Sequence, residues 1–240
     1  MTVAKSKIEW TESTWNPTTG CTKISEGCEN CYAYKMALRL QKMRAVKYEN
    51  GFDVRVHENC FNDPLEWKKP SVIFVNSMSD LFHEDIALEH IQKIFDVMNK
   101  ASWHTFQILT KRADRLSKLA SNLNWTNNIW MGVTVENTKT KDRIDYLRDI
   151  HAKIKFVSFE PLLDDVGEID FRNIDWAIVG GESGHHARYI DEEWVLNIKT
   201  QCEKQKIMFY FKQWGGTNKK KTGRLLEGRT WDDMPALQAY

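Results

Sequence analysis

The stretch SVIFVNSMSDLFHEDIALEHIQKIFDVMNKASWHTFQILTKR (71–112) contains the fold in outline. Its two ends, SVIFVNS (71–77) and TFQILTK (105–111), carry apolar residues on both parities, the pattern of strands covered on both faces. Between them Ile86, Ile91, Ile94, Phe95 and Met98 mark one apolar stripe at helical spacing. Strand, amphipathic helix and strand in this order predict a βαβ unit with parallel strands.

The same alternation continues toward the C-terminus. NIWMGVTVEN (128–137), KIKFVSFEP (153–161), DWAIVGGES (175–183) and KIMFYFKQW (206–214) read as further buried strands. Leu116 with Leu119, then Ile144, Leu147 and Ile150, then Trp194, Val195 and Ile198, mark the intervening helices. Upstream lie a helix from about Tyr32 to Tyr48 and a short strand near Ser13–Asn16. The expectation is an α/β fold, a partial (β/α) barrel of about six parallel strands, with a doubly wound open sheet as competitor. No Pro/Gly/Ser-rich linker or internal repeat divides the chain. One domain over 1–240 is expected, with an N-terminal cluster-binding loop at 15–34, β/α units over about 71–214 and a loop-rich tail at 215–240.

Composition narrows the function classes. The 34 Lys+Arg against 33 Asp+Glu leave +1, which excludes a strongly basic nucleic-acid coat and an acidic tail protein. No apolar run approaches the roughly 20 residues of a membrane span, and Met1–Glu12 lacks a secretory core, so a reducing cytoplasmic setting is expected. Ten Trp are spread from Trp10 to Trp231 and read mostly as core and cleft-lining bulk. Five Cys, an odd count, argue against a complete disulfide framework.

The strand ends are unusually polar. They offer Asn76, Ser77, Ser79 and Asp80; Lys111 and Arg112; Glu136 and Asn137; Glu160; Glu182 and Ser183; Lys212 and Gln213. Ser79, Asp80 and Asn137 would also serve as ordinary helix caps. Ligands of parallel α/β folds bind at the carboxyl ends of strands, and six successive polar ends predict a shared mouth.

Cys21, Cys28 and Cys31 are spaced C-x6-C-x2-C in GCTKISEGCENCYAY (20–34). Grouped thiolates in a reducing compartment hold zinc or an iron–sulfur cluster, and Gly20 and Gly27 let backbone wrap closely around such a group. Three protein ligands leave an open position for chemistry, whereas a structural zinc site is closed by four. Cys60 or His57, in VHENCFNDP, could supply a fourth ligand and make a zinc clip; Cys60 otherwise reads as a lone thiol, and Cys202 as buried packing.

The three-cysteine loop, followed directly by a helix and then β/α units, resembles the radical S-adenosylmethionine superfamily. More narrowly, TWNPTTGC (14–21) and GCENCYA (27–33) resemble a three-cysteine family encoded by phages and bacteria. Further matches are FVNSMSDLFH (74–83), ILTKR (108–112), GVTVEN (132–137), SFEPLL (158–163), VGGESG (179–184), FKQWGG (211–216) and GRTWDDMP (228–235). The chain departs from the superfamily loop, C-x3-C-x2-C, in its longer first gap. Asn30 also stands where an aromatic often precedes the last cysteine, with Tyr32 following it.

The resemblance implies a [4Fe–4S] cluster held by Cys21, Cys28 and Cys31, with S-adenosylmethionine on the open iron and an electron donor as partner. It implies reductive cleavage to a 5′-deoxyadenosyl radical that abstracts hydrogen from a substrate. Matching charge to cofactor assigns Asn76, Ser77 and Ser79 to the amino group, Lys111 or Arg112 to the carboxylate, and Glu136 with Asn137 to the ribose. Glu160, Glu182, Lys212 and Gln213 are then left to face substrate, the first three as catalytic candidates.

GGESGHHAR (180–188) has the wrong spacing for a dinucleotide loop and reads as a tight ligand-facing turn, with His185 and His186 free to bond solvent or substrate. Two basic groups bear on the substrate. One is Lys35, Arg39, Lys42, Arg44 and Lys47 after the cluster; the other is Lys219–Lys221, Arg224 and Arg229 beside Trp214 and Trp231. Basic patches with aromatics suit a nucleotide or nucleic-acid base, and a solvated helix face accounts for the first equally well. Near-neutral charge argues against tight sequence-independent DNA binding. A zinc-stabilised binding module and a redox-sensing iron–sulfur protein are the alternatives from other classes.

Overall fold

The computed structural model describes residue 6 and residues 8–237, so the first residues of the N-terminal segment and the last three of the tail lie outside it. Seven parallel strands form one curled half-barrel sheet: β1 (Ser13–Trp15), β2 (Val72–Val75), β3 (Thr105–Thr110), β4 (Ile129–Thr134), β5 (Ile154–Phe159), β6 (Trp176–Gly180) and β7 (Met208–Gln213). Their spatial order is their sequence order. The short N-terminal run is the seventh strand, pairing Ser13–Trp15 with Ile73–Val75 at one edge. β1 and β7 do not pair, so the barrel stays open.

α1 (Tyr32–Lys42) packs beside the cysteine loop, and four helices cover one face of the sheet: α2 (Leu88–Lys100), α3 (Ala113–Leu119), α4 (Arg143–Arg148) and α5 (Glu192–Gln205). The apolar stripe read from sequence is the buried face of α2: Ile91, Ile94, Phe95 and Met98 are all sealed against the sheet. Each such side chain contributes on the order of 1.5–3 kcal/mol by leaving water. Between β5 and β6 no helix forms. Leu162, Val166, Ile169, Phe171 and Ile174 of the irregular crossover fill the layer a helix would occupy.

The helix expected over about 32–48 is shorter. It ends at Lys42, and Arg44 takes a left-handed conformation with φ 57°. That reversal lets Tyr48 fold back onto Ala33 and Ala37, and burying its ring outweighs continuing an exposed helix.

The opposite, concave face has an aromatic floor. Trp10, Phe74, Trp130, Phe156, Trp176 and Tyr210 pack there, with Trp10 and Phe74 edge to face at 4.8 Å. Gly132 makes room for this packing: a Cβ at that position would meet the Phe156 ring at 2.4 Å. Alternation along each strand carries the next inward residues above the floor to the carboxyl edge. Among the described residues no helix is long and apolar enough to cross a membrane.

Candidate active site

Every strand delivers its polar end to the same edge because all seven run parallel. Asn76 follows β2 with φ 63°, a conformation Asn tolerates better than most residues. It is 3% exposed; its Oδ1 accepts from the Thr18 amide at 3.4 Å, and its Nδ2 is buried with no partner among the described residues. Ser77 Oγ donates to Asn16 Oδ1 at 3.1 Å, and the Ser77 carbonyl accepts from the Tyr32 hydroxyl. Ser79 and Thr18 hydroxyls meet at 2.7 Å. The end of β2 is thereby stitched to the segments on both sides of the cysteine loop.

Several other strand-end side chains grip that loop directly. Arg112, 2% exposed, donates from Nη1 to the Cys21 sulfur at 3.4 Å and to Asp80 at 3.3 Å. Its Nη2 reaches the Thr22 hydroxyl at 2.9 Å and the Thr22 carbonyl at 3.2 Å, and its Nε bonds both oxygens of Glu84. Asp80 also accepts from Thr110 Oγ1 at 2.6 Å and from the Lys111 amide at 3.0 Å, which fixes the turn that aims Arg112.

Glu136 is fully buried. It accepts from Ser25 Oγ at 2.7 Å and pairs with Lys111 at 2.8 Å and Arg143 at 2.9 Å. Burial alone would raise its carboxyl, but the two cations outweigh burial and hold it below the usual carboxylate range. Asn137 caps the next turn through the Lys139 amide and donates to Glu26 at 3.3 Å. Glu182 takes a forked bond from Arg188, with Nη2 at 2.6 Å and Nε at 3.0 Å, and accepts from Asn30 at 2.9 Å. Arg188 goes on to Glu29 and the Glu26 carbonyl. Here too burial would raise the carboxyl and the Arg188 bonds outweigh it.

Glu160 and Lys212 form a separate pair at 2.9 Å, with Ser158 Oγ donating to the carboxylate at 3.2 Å. Both side chains keep partial access to solvent, at 14% and 18%. Gly180 lies beneath them, where a Cβ would come within 2.8 Å of Glu160 Oε1. Gln213 Nε2 donates to Ser183 Oγ at 2.7 Å, tying the last strand to the turn after β6. His185 and His186 stand exposed on that turn, and the His186 carbonyl accepts from Asn30.

The three cysteines line one cavity of about 390 Å³, closed by α1 residues Tyr34, Leu38 and Gln41 and by residues 50–53. That volume falls in the range of small-molecule and cofactor sites. Neither Cys60 nor His57 is in its walls. Cys60 Sγ sits 3.6 Å from Lys47 Nζ, and His57 Nε2 is 2.8 Å from Thr19 Oγ1. Burial lowers the His57 pKa to about 4, with Lys47 and Arg55 adding to the effect. Among the described residues no three His, Cys, Asp or Glu side chains surround a single-ion position.

Three soft thiols line a shared space, and one sulfur, that of Cys21, receives a side-chain hydrogen-bond donor. Arg112 is that donor; Cys28 Sγ lies 3.8 Å from Ser25 Oγ, whose own proton goes to Glu136. Burial raises the Cys21 thiol to about 11, with Arg112 pulling against it. Cys202, in α5, is sealed in the core and its thiol is pushed up to about 12 by burial.

Sequence reading did not single out Ser25, Asn30, Arg143 or Arg188 as partners of this edge. Within the tail's basic group, Arg229 lies over the Trp231 ring at 3.5 Å and Arg224 over the Tyr210 ring of β7 at 5.1 Å; Lys199 of α5 also lies over Trp231, at 4.4 Å. The side chains of residues 219 and 220 lie outside the described residues.

The chain belongs to the family described as "Protein of unknown function (DUF5131)", whose model matches residues 5–235. No curated protein matches it in sequence. Among solved structures it is similar to a cysteine-to-alanine mutant of spore photoproduct lyase with dinucleoside spore photoproduct, with TM-score 0.52 at 12% identity over 85% of this chain. A cysteine-to-serine mutant of the same lyase gives TM-score 0.50 at 12% identity, again over 85%. In both cases the chain spans 64% of the other protein's length. The likeness establishes the fold, a half-barrel close to that of the radical S-adenosylmethionine enzymes.

Proposed function

We propose that the protein is a radical S-adenosylmethionine enzyme that modifies a nucleotide or a nucleic-acid base. The observation that carries this reading is the meeting of Cys21, Cys28 and Cys31 in one cavity, without a fourth thiol or imidazole, at the carboxyl edge of a parallel half-barrel. Cys21, Cys28 and Cys31 would hold a [4Fe–4S] cluster which, after taking one electron from an external donor, would supply reductive cleavage of bound S-adenosylmethionine to methionine and a 5′-deoxyadenosyl radical for hydrogen abstraction.

The chain's own residues do the positioning. Arg112 donates toward the Cys21 sulfur and favours its anionic form. Asn76, with its unpartnered Nδ2, and the neighbouring Ser77 and Ser79 suit the methionine part of the cofactor. Glu136 has its oxygens filled by Ser25, Lys111 and Arg143, which favours holding the loop over contacting a ribose. Glu182, filled by Arg188 and Asn30, favours the same role. Glu160 and Lys212 remain as the substrate-facing pair above the aromatic floor, an acceptor beside a donor, as an edge of a base requires. The dinucleoside bound by the structurally similar lyase supports a nucleotide as the substrate class.

Anaerobic reconstitution tests the reading. About four irons per chain are expected, with a spectrum that changes on adding S-adenosylmethionine and 5′-deoxyadenosine after dithionite reduction. Intact S-adenosylmethionine beside a verified reduced cluster would overturn it in favour of an electron-transfer protein.

A further inference from the structure

We infer that the outward face of α1 is the docking surface for a single nucleic-acid strand, with Lys35, Arg39 and Lys42 on its phosphates. The inference rests on the proposed substrate class only for the choice of ligand; the surface itself stands on geometry and charge.

α1 contains no Asp or Glu, and its three cations stand at i, i+4 and i+7, opposite the buried Ala33 and Ala37. None of the three makes an ion pair or hydrogen bond among the described residues. The cations around the mouth behave differently: Lys111, Arg112, Lys139, Arg143, Arg188 and Lys212 each sit on a carboxylate. Lys47 is also withdrawn, its Nζ donating to the Asn16 carbonyl. In a chain of net charge +1 the α1 face is thus a local, uncompensated positive stripe.

The stripe leads to the site. α1 begins directly after Cys31, and Lys35 Nζ lies 4.0 Å from where Gly184 would place a Cβ, so the face continues onto the turn after β6. Tyr32, whose hydroxyl is held by the Ser77 carbonyl, and Tyr34, which lines the cysteine cavity, keep partly exposed rings beside the cations and lead the track to the site. A cationic track with aromatic faces is how single strands are held without sequence preference, whereas an acidic peptide would have no use for the aromatics.

The test is fluorescence anisotropy on the full chain with labelled oligodeoxynucleotide and oligoribonucleotide strands of about 12 nucleotides, across a range of salt. Replacing Lys35, Arg39 and Lys42 together by Gln keeps helix propensity. It should flatten the slope of log affinity against log salt by about 2 and weaken binding about a hundredfold near 0.1 M salt. Replacing Lys100 and Lys204, in the last turns of α2 and α5, together with Lys153, just before β5, removes the same charge far from α1 and should change little. Absence of binding by the unaltered chain, equal loss in both triple variants, or equally effective competition by polyglutamate would overturn the inference. Tighter binding of a duplex than of either strand would do so too. Strand binding by a protein that leaves S-adenosylmethionine intact would sink the proposed chemistry and spare the surface; cleavage without strand binding would do the reverse.

Discussion

Gly27 lies so close to Glu136 that a Cβ added to it would stand 2.5 Å from the carboxylate Oε1. The carboxylate cannot give way, because Ser25, Lys111 and Arg143 hold it in a fully buried position. The cysteine loop therefore docks on the end of β4 through a contact only glycine allows. Gly27→Ala should destabilise the docked loop by about 1–3 kcal/mol, as overpacking does. Hydrogen exchange across residues 21–31 would report it, with α2 and the sheet unchanged; an unperturbed loop would contradict the contact.

The cysteines separate into two groups. Cys21→Ala, Cys28→Ala and Cys31→Ala should each abolish iron uptake on anaerobic reconstitution. Cys60→Ala and Cys202→Ala should retain it, because neither thiol lines the cavity. Iron loss in Cys60→Ala as complete as in Cys28→Ala would instead indicate a four-cysteine site.

Asn76 allows a clean separation of cofactor binding from cluster binding. Asn76→Gly keeps the left-handed backbone at no steric cost and removes the amide. Iron content should be unchanged, while affinity for S-adenosylmethionine falls about tenfold to hundredfold, the cost of one hydrogen bond to a charged group. Equilibrium binding to reconstituted protein measures this, and unaltered affinity would remove Asn76 from the site.

The strands were legible because each carries apolar residues on both parities, and β2 to β7 lie within the runs read from sequence. The end of α1 was not. Arg44 is an ordinary polar residue, and only the later packing of Tyr48 makes the chain reverse there. The three cysteines were legible from spacing. The partners of Glu136 and Glu182 were not, since Ser25 lies 111 residues from Glu136 and Asn30 lies 152 from Glu182. Charge at a strand end reads the same in sequence whether it faces a ligand or holds a loop.

Glu160 and Lys212 should matter for turnover rather than for the cluster. Glu160→Gln keeps the shape over Gly180 and removes the charge, and Lys212→Met keeps the stem. Both variants should retain full iron and slow uncoupled cleavage of S-adenosylmethionine, while product formed from substrate falls by about 10²-fold or more, as for loss of a positioned acid or base. Chromatography of 5′-deoxyadenosine and of modified substrate in one reaction decides it; coupled loss of both would place the pair at the cofactor instead.

The two loop-holding carboxylates set how docking depends on pH. Glu136 and Glu182 are both held below the ordinary carboxylate range, each because its cationic partners outweigh the opposing effect of burial. A depressed folded pKa contributes stability that is present above the unfolded value, about 4.3 for Glu, and is lost as pH falls through the folded value. Docking should therefore be level between about pH 5 and pH 8 and release only in acid, with its midpoint below about 4.3. The amide resonance of Gly27 in the metal-free protein is a suitable probe, since it lies against Glu136 and carries no titrating group of its own. A shift of that resonance centred above pH 5 would mean that burial wins over the cations. Glu182→Gln separates the contributions: it removes the charge and one arm of the forked Arg188 bond at the mouth's edge and leaves Glu136 in place. The variant should dock more weakly at neutral pH and keep the remaining acid transition of Glu136.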